Sequence, residues 1–168
     1  SWVIDEIVTA AGGEASPCKV GHAMIKNLMK ETGAILSGEL SNHYYFKDFK
    51  NVESIEYVMM LVLEILSKSD KPLSELIEPY RKYYQSQEIN SEVEDREGIM
   101  KQLEEKYKEG AVSVSWLDGI KIEHEDFWFN VRPSNTEPLL RLMVEAKTQE
   151  KLDSMTKELL EIIRGGNK

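Results

Sequence analysis

Cysteine is almost absent from this chain of 168 residues, in which Cys18 is the only one. A single cysteine cannot form a disulfide within the chain, so we expect a reducing compartment and predict a cytoplasmic location. It is also too few for a cysteine-based metal site, and we predict no metal ligands in this chain. Basic residues are outnumbered, with 21 Lys and Arg against 30 Asp and Glu and a formal net charge of −9. That balance argues against a nucleic-acid partner, which would need a basic face.

Long apolar runs are also missing, since no stretch approaches the ~20 residues that cross a bilayer. We therefore expect no membrane partner. The first residues carry no basic region of the kind that begins a signal peptide. The chain starts without Met and opens directly into a helical pattern, from which we expect a piece of a longer protein. What remains is 41% hydrophobic and 30% charged, the composition of an ordinary globular domain.

The first half of the chain predicts a parallel α/β arrangement. Residues 17–20 form a short apolar run, residues 23–31 have helical periodicity, and residues 34–38 form a second apolar run. Strand, helix and strand in this order are typical of a βαβ unit with a parallel sheet. A helix over 2–11 precedes this unit. A long apolar helix begun by Asn51 follows it, and we expect that helix to be buried on more than one side.

The second half of the chain changes pattern, and we place a domain boundary at residue 85. A helix over 96–107 is followed by short alternating runs that predict antiparallel strands, and Thr148 begins the last helix. We therefore predict a fold of class α/β plus α+β. A partial βαβ parallel-sheet domain over 1–85 precedes a small antiparallel-sheet domain with helices on one face over 86–168.

A polar loop lies between two of the predicted strands, with the sequence Arg132-Pro133-Ser134-Asn135-Thr136-Glu137-Pro138. Arginine presents a planar fork of donors that matches the geometry of phosphate. The two hydroxyls, the amide and the backbone N–H groups of the loop can add further donors. One interpretation is an oxyanion site, and the other is an ordinary polar hairpin loop with two prolines.

A second polar loop, Gly38-Glu39-Leu40-Ser41-Asn42-His43, directly follows the predicted strand at 34–38. Ligands of open α/β sheets bind beyond the carboxyl ends of strands, and a carboxylate accepts hydrogen bonds from neighbouring sugar hydroxyls well. His22 follows the predicted strand at 17–20, so we expect it to converge with Glu39 at the same edge of the sheet. The alternatives are an ordinary surface loop and a histidine that merely starts a helix.

With both loops and their order in view, nearly the whole chain resembles the C-terminal half of the α-D-phosphohexomutases, and most closely the phosphomannomutase/phosphoglucomutase branch. The loop at 38–43 resembles that family's sugar-recognition loop, commonly Gly-Glu-Met-Ser-Gly-His. Asn42 takes the place of the second Gly, and asparagine tolerates left-handed backbone angles. The loop at 132–138 resembles the phosphate-binding loop. Val20-Gly21-His22 resembles the segment of the third domain that carries a histidine near the sugar.

The resemblance implies an enzyme that interconverts hexose 6-phosphate and hexose 1-phosphate through a phosphoserine and a bisphosphorylated sugar. The family's phosphoserine motif and its Asp-rich Mg²⁺ loop do not occur in this sequence. The resemblance therefore implies upstream domains of the same protein as partners, Mg²⁺ bound by those domains and not by this chain, and no turnover by this chain alone. The implied site residues are His22 as an acid or base, Glu39, Ser41 and His43 as sugar contacts, and Arg132, Ser134, Asn135 and Thr136 as phosphate contacts.

Two alternatives stay open. Phosphoglucosamine-type mutases of the same family tend to carry Gln at the position of Leu40, so a member of that branch is the first. A non-catalytic module that binds sugar phosphates is the second, and it would carry both loops without the remaining domains.

Overall fold

A computed structural model of the chain describes residues 1–134 and 136–165. They form two compact units: unit 1 comprises Ser1–Ala15 together with the residues from Arg81 onward, and unit 2 comprises Ser16–Tyr80. The first helix thus belongs to the same unit as the C-terminal sheet. The domain division at residue 85 stays a prediction. In the part of the chain that the structure describes, no helix has both the length and the apolar character that spanning a membrane requires.

The helices and strands alternate along the chain in short segments. The helices are α1 (Trp2–Ala10), α2 (His22–Thr32), α3 (Ile55–Ser67), α4 (Leu73–Ile77), α5 (Arg96–Tyr107) and α6 (Gln149–Gly165). The strands are β1 (Leu36–Gly38), β2 (Tyr44–Phe46), β3 (Val52–Glu53), β4 (Tyr84–Gln85), β5 (Ile89–Glu92), β6 (Ser113–Ser115), β7 (Ile120–Glu123), β8 (Phe127–Pro133) and β9 (Leu139–Ala146).

Unit 1 is built on an antiparallel sheet with the strand order β4-β9-β8-β7-β6, in which β5 also pairs with β9. Helices α5 and α6 pack on one face of this sheet. Alternate residues of the strands point to that face, and they form one core with the buried residues of both helices, including Leu103, Phe129, Leu142, Val144 and Leu159. The predicted antiparallel sheet with helices on one face is confirmed.

The opposite face of the same sheet holds a buried carboxylate, Glu145, which is 0% exposed. It accepts hydrogen bonds from the backbone N–H of Trp2 at 2.9 Å, the indole of Trp128 at 2.9 Å and the amide of Gln85 at 2.6 Å. The indole of Trp2 also donates to Glu123 at 2.7 Å. Because Glu145 alternates with the core residues of β9, these bonds fix the start of α1 on the face away from α5 and α6.

Unit 2 contains a three-stranded antiparallel sheet with the order β1-β2-β3. The mixed fold class is confirmed, but the predicted parallel βαβ unit is wrong. Residues 17–20 form no strand, and β1 pairs antiparallel with β2. Pro17 lacks the amide hydrogen that a strand donates to its neighbour, and Val20 is 47% exposed. The apolar character of this run therefore does not mark a buried strand.

Helix α3 also differs from expectation at its start and in its burial. Ser54 caps it by accepting a hydrogen bond from the N–H of Tyr57 at 3.2 Å. The predicted cap Asn51 is wrong, because this residue is buried in the preceding turn with a left-handed φ of 59°, whereas a capping residue has extended geometry. Burial on more than one side is wrong too, since half or more of the surface of five apolar side chains is exposed: Ile55, Met59, Met60, Leu63 and Ile65.

Candidate functional site

The loop between β1 and β2 is the second polar loop predicted from the sequence. The N–H of Glu39 donates to the carbonyl of His43 at 2.9 Å, and the N–H of Asn42 donates to the carbonyl of Glu39 at 3.0 Å. Asn42 has a left-handed φ of 64°, so the expectation that asparagine can stand here in place of glycine is confirmed. The loop is a tight hairpin that holds Glu39 and His43 at facing strand ends, with Ser41 exposed between them.

The structure brings His22, Glu39 and His43 together, and we call these three residues the His–Glu cluster. One nitrogen or oxygen from each side chain lies within 4.8 Å of the others, and the two imidazole rings are 5.3 Å apart. His22 and Glu39 therefore converge as predicted, but not at the shared edge of a parallel sheet. His22 is the first residue of α2, and the N–H of Gly21 donates to the Glu39 carboxylate at 3.2 Å.

Two further side chains support the His–Glu cluster. Nδ1 of His43 lies 2.6 Å from the carboxylate of Glu53 on β3, and the phenol of Tyr45 donates to Glu39 at 3.3 Å. Burial, reinforced by the negative charge of Glu39, raises the pKa of Tyr45 to about 12. The phenol therefore stays protonated at neutral pH and remains a donor to Glu39.

The other predicted loop joins β8 to β9 in unit 1. Arg132 on β8 lies directly opposite Arg141 on β9. The carboxylate of Glu88 accepts from Nη2 of Arg132 at 2.7 Å and from Nη1 of Arg141 at 3.0 Å, and the three side chains are 19–28% exposed. Like charges that face each other across strands repel, so Glu88 holds the two guanidinium groups together. We call Glu88, Arg132 and Arg141 the arginine cluster.

The loop itself adjoins the arginine cluster. Ser134 is buried, and its hydroxyl lies 3.4 Å from Nη2 of Arg141 and accepts from the N–H of Thr136 at 3.4 Å. Arg96, the first residue of α5, donates to the carbonyl of Ser134 at 3.3 Å and so anchors the loop to that helix. Asn135, a predicted phosphate contact, lies outside the described residues.

The arginine cluster has the chemistry of an anion site. Two guanidinium groups and one carboxylate leave a local charge of +1 on a chain whose formal net charge is −9. Partial burial strengthens the attraction for an oxyanion, because water screens it less. Guanidinium forks and a neighbouring hydroxyl are the donors that bind phosphate bidentately.

Sequence reasoning missed Arg141 and Glu88. A signal for Arg141 exists, since it is the only charged residue of the alternating run at 139–144, and counting outward from the hairpin loop places it opposite Arg132. Glu88 had no such signal, because it reaches the cluster from a different segment of the chain.

The groove along α6 lies away from the predicted site residues. A groove of about 750 Å³ runs along α6 beside Gln85 and Ser86, with Leu152 and Leu160 among its apolar walls. None of the predicted site residues lines it, so the sites are assigned from the chemistry of their side chains.

Comparison with known proteins gives matches over nearly the whole chain. The family model described as phosphoglucomutase/phosphomannomutase, alpha/beta/alpha domain III, matches residues 1–83, and that of the phosphoglucomutase/phosphomannomutase C-terminal domain matches residues 88–162. A phosphomannomutase of Methanocaldococcus jannaschii is 42% identical over 163 residues, which are 97% of this chain and 36% of the relative. A phosphomannomutase of Escherichia coli is 38% identical over 165 residues, again 97% of this chain and 36% of the relative.

A solved structure is similar as well. The crystal structure of a phosphoglucomutase/phosphomannomutase family protein from Burkholderia thailandensis matches with a TM-score of 0.78 and 30% sequence identity, covering 94% of this chain and 34% of that one. This chain spans about a third of the length of the curated relatives that it matches. The resemblance seen in the two loops is confirmed: the chain belongs to the phosphoglucomutase/phosphomannomutase family, in which it corresponds to domain III and the C-terminal domain.

Proposed function

We propose that this chain is the sugar- and phosphate-binding part of an enzyme that interconverts hexose 6-phosphate and hexose 1-phosphate, with mannose or glucose as the hexose. The observation that carries the proposal is the arginine cluster beside the loop at 132–138, in a chain whose relatives include phosphomannomutases. The whole enzyme would work through a phosphoserine and a bisphosphorylated sugar. The upstream domains of the parent protein would supply that serine.

In unit 1, the phosphate that is not reacting would bind to Arg132, with Ser134, Asn135 and Thr136 adding neutral donors. Arg141 would join them, because Glu88 holds it beside Arg132. The carboxylate of Glu88 holds both guanidinium groups side by side, while it also occupies one donor of each and adds a negative charge beside the phosphate. Phosphoryl transfer depends mainly on positioning and charge neutralisation, and a remote phosphate clamp therefore still controls its rate.

In unit 2, Glu39, Ser41 and His43 would contact the hydroxyls of the hexose. The Glu39 carboxylate can accept from two neighbouring hydroxyls, and Tyr45 and Gly21 keep it in place through their hydrogen bonds. His22 is exposed at the start of α2. It would exchange a proton with the reacting oxygen or donate a hydrogen bond beside it.

Phosphomannomutases generally depend on Mg²⁺, and we propose the same for the full-length protein. The donors that the structure brings together do not suit that ion. Within the described residues, the His–Glu cluster is the only group of three such donors close enough to share an ion, and Mg²⁺ prefers an octahedral shell of oxygens and water. The Mg²⁺ ligands would therefore come from the upstream domains. The cytoplasmic location also stays a prediction.

The phosphate assignment is tested by KM in the full-length enzyme. Arg132→Ala and Arg141→Ala each remove a charged hydrogen bond worth about 1.5–3 kcal/mol, so KM for hexose phosphate should rise about 10- to 150-fold. Arg81→Ala removes an exposed arginine outside the cluster and should leave KM unchanged. Wild-type KM and kcat in both cluster variants would refute the assignment.

Two further experiments test the phosphoglucosamine-type mutase and the non-catalytic module. Turnover of mannose, glucose and glucosamine phosphates by the full-length enzyme separates the proposed preference from a phosphoglucosamine-type mutase. Calorimetric titration of this chain alone with hexose phosphates tests the non-catalytic module. Weak binding fits one part of an enzyme, whereas tight binding by the chain alone favours the module.

A further inference from the structure

The sequence predicts no metal ligands in this chain, but the folded His–Glu cluster of unit 2 offers three donors. We propose that this cluster binds a divalent transition-metal ion of the Zn²⁺ type when no hexose occupies it, separate from the Mg²⁺ of the full-length enzyme. His22, Glu39 and His43 each offer a donor atom within 4.8 Å of the other two. Two imidazole nitrogens and one carboxylate oxygen form a ligand set that Zn²⁺ takes in sites with three protein ligands and one open position.

The geometry needs only a small contraction. In a tetrahedral site with metal–ligand bonds of about 2.1 Å, neighbouring donors lie about 3.4 Å apart. Glu39 and His43 are already held on facing ends of β1 and β2 by the backbone bond between them. His22 is exposed, and its ring contacts Tyr45 edge-on at 5.5 Å, so rotation of its side chain can close the remaining distance.

The surroundings of the ligands also favour a metal. Nδ1 of His43 is 2.6 Å from Glu53, and with the proton on Nδ1 the lone pair of Nε2 is free for coordination. A carboxylate behind a ligating histidine orients the ring and raises its basicity. Tyr45 and Gly21 donate to Glu39 at 3.3 Å and 3.2 Å, which orients that carboxylate in the same way.

Charge and ligand type determine which ion fits. Glu39 and Glu53 together carry two negative charges, which balance a divalent cation when both histidines are neutral. Imidazole suits Zn²⁺, Ni²⁺ and Co²⁺, while Mg²⁺ and Ca²⁺ select oxygen ligands. The site should therefore bind Zn²⁺ in the presence of excess Mg²⁺.

The test is calorimetric titration of the whole chain, without a polyhistidine tag, with Zn²⁺ in excess Mg²⁺. We expect one ion per chain. His22→Gln, an exposed substitution that leaves the core of unit 2 intact, and His43→Ala should each abolish this binding. Glu53→Gln should weaken it about 10- to 100-fold, the usual effect of removing the carboxylate behind a metal-bound histidine.

Two matched variants control for other donors. His124→Asn removes the third histidine of the chain, which lies in unit 1. Cys18→Ser removes the thiol of the residue that packs against the small core of Ile25, Met29 and Tyr45. Both should bind Zn²⁺ as the wild type does, and Co²⁺ should give the visible spectrum of a nitrogen- and oxygen-ligated ion. Undiminished binding by His22→Gln, loss of binding in Cys18→Ser, or displacement of Zn²⁺ by Mg²⁺ would each overturn the proposal. Circular dichroism confirms that every variant is folded.

Discussion

Replacing Glu88 with Gln tests whether Arg132 and Arg141 form a single anion site. In the wild type, the Glu88 carboxylate accepts from the two guanidinium groups at 2.7 Å and 3.0 Å, and all three side chains are 19–28% exposed. Gln keeps the shape of the side chain and removes its charge. The variant would leave two partly buried cations facing each other across β8 and β9.

The expected loss of stability follows from these contacts. A hydrogen bond between charged groups contributes about 1.5–3 kcal/mol. The pair of bonds is partly screened by solvent, and the Gln oxygen can still accept one of them. We therefore expect the free energy of unfolding to fall by about 2–3 kcal/mol. For a unit of roughly 100 residues, that corresponds to about 10 °C in Tm.

The informative measurement is urea unfolding with and without inorganic phosphate at constant ionic strength. A phosphate ion can take the position of the missing carboxylate between the guanidinium groups, so phosphate should stabilise Glu88→Gln more than the wild type. At a concentration 100 times Kd the gain is about 2.7 kcal/mol, which would offset the loss. Glu94→Gln, an exposed glutamate between β5 and α5, should behave as the wild type. Wild-type stability of Glu88→Gln, or an equal response of both proteins to phosphate, would refute the reasoning.

Two further predictions concern buried groups. Glu145→Ala should lower the free energy of unfolding by about 3–5 kcal/mol in urea titrations, because it leaves the N–H groups of Trp2 and Trp128 without their buried acceptor. Glu161→Ala, at an exposed position, serves as the control. Similar losses in both variants would contradict the role of Glu145. Burial and the charge of Glu39 raise the pKa of Tyr45 from 10.0 in the unfolded chain to about 12 in the folded one, so the folded state holds the phenol proton more tightly. The stability of unit 2 should therefore fall as the pH rises from 10.0 towards about 12. Tyr45→Phe cannot ionise and should lose less stability than the wild type between those pH values in unfolding followed by circular dichroism, so an equal loss would speak against the shift.

The elements of unit 1 were predictable because local periodicity and burial coincide there. Helix α5 occupies the predicted residues 96–107, and α6 begins after Thr148, whose hydroxyl accepts from the N–H of Lys151 at 3.1 Å. Each helix has one apolar stripe that packs on a face of the sheet, so the sequence pattern predicts which side of the helix is buried. The alternating runs that became β7, β8 and β9 work in the same way with a period of two.

Unit 2 shows where composition alone misleads. The run at 17–20 and the helix α3 are both apolar, yet Val20 and Met59 are 47% and 55% exposed. An apolar run indicates a surface that can be buried, but the partner that buries it is a property of the tertiary structure. The hairpin at 39–43 was easier to predict from the sequence, because the left-handed residue Asn42 and the short loop are local features.

In both sites, the residues of contiguous loops were predicted from the sequence, and the residues brought in by the fold were missed. Glu39, His43 and Arg132 were predicted because their residue types and their loops are contiguous in the sequence. Glu88 lies 44 residues from Arg132 and 53 from Arg141, so only the folded sheet reveals that it holds both. Glu53 and Tyr45 were missed for a related reason, since they reach the cluster through strand pairing rather than through the loop.

The bond between Trp2 and Glu145 joins residues 143 positions apart, and this separation matters while the protein is being synthesised. At roughly 5–20 residues per second, a ribosome adds Glu145 about 7–29 s after Trp2. Throughout that interval the backbone N–H of Trp2 lacks its acceptor on β9, and all of unit 2 is synthesised in between. The docking of the first helix of this chain is thus completed late, and the backbone N–H of Trp2 must stay accessible until translation has passed β9.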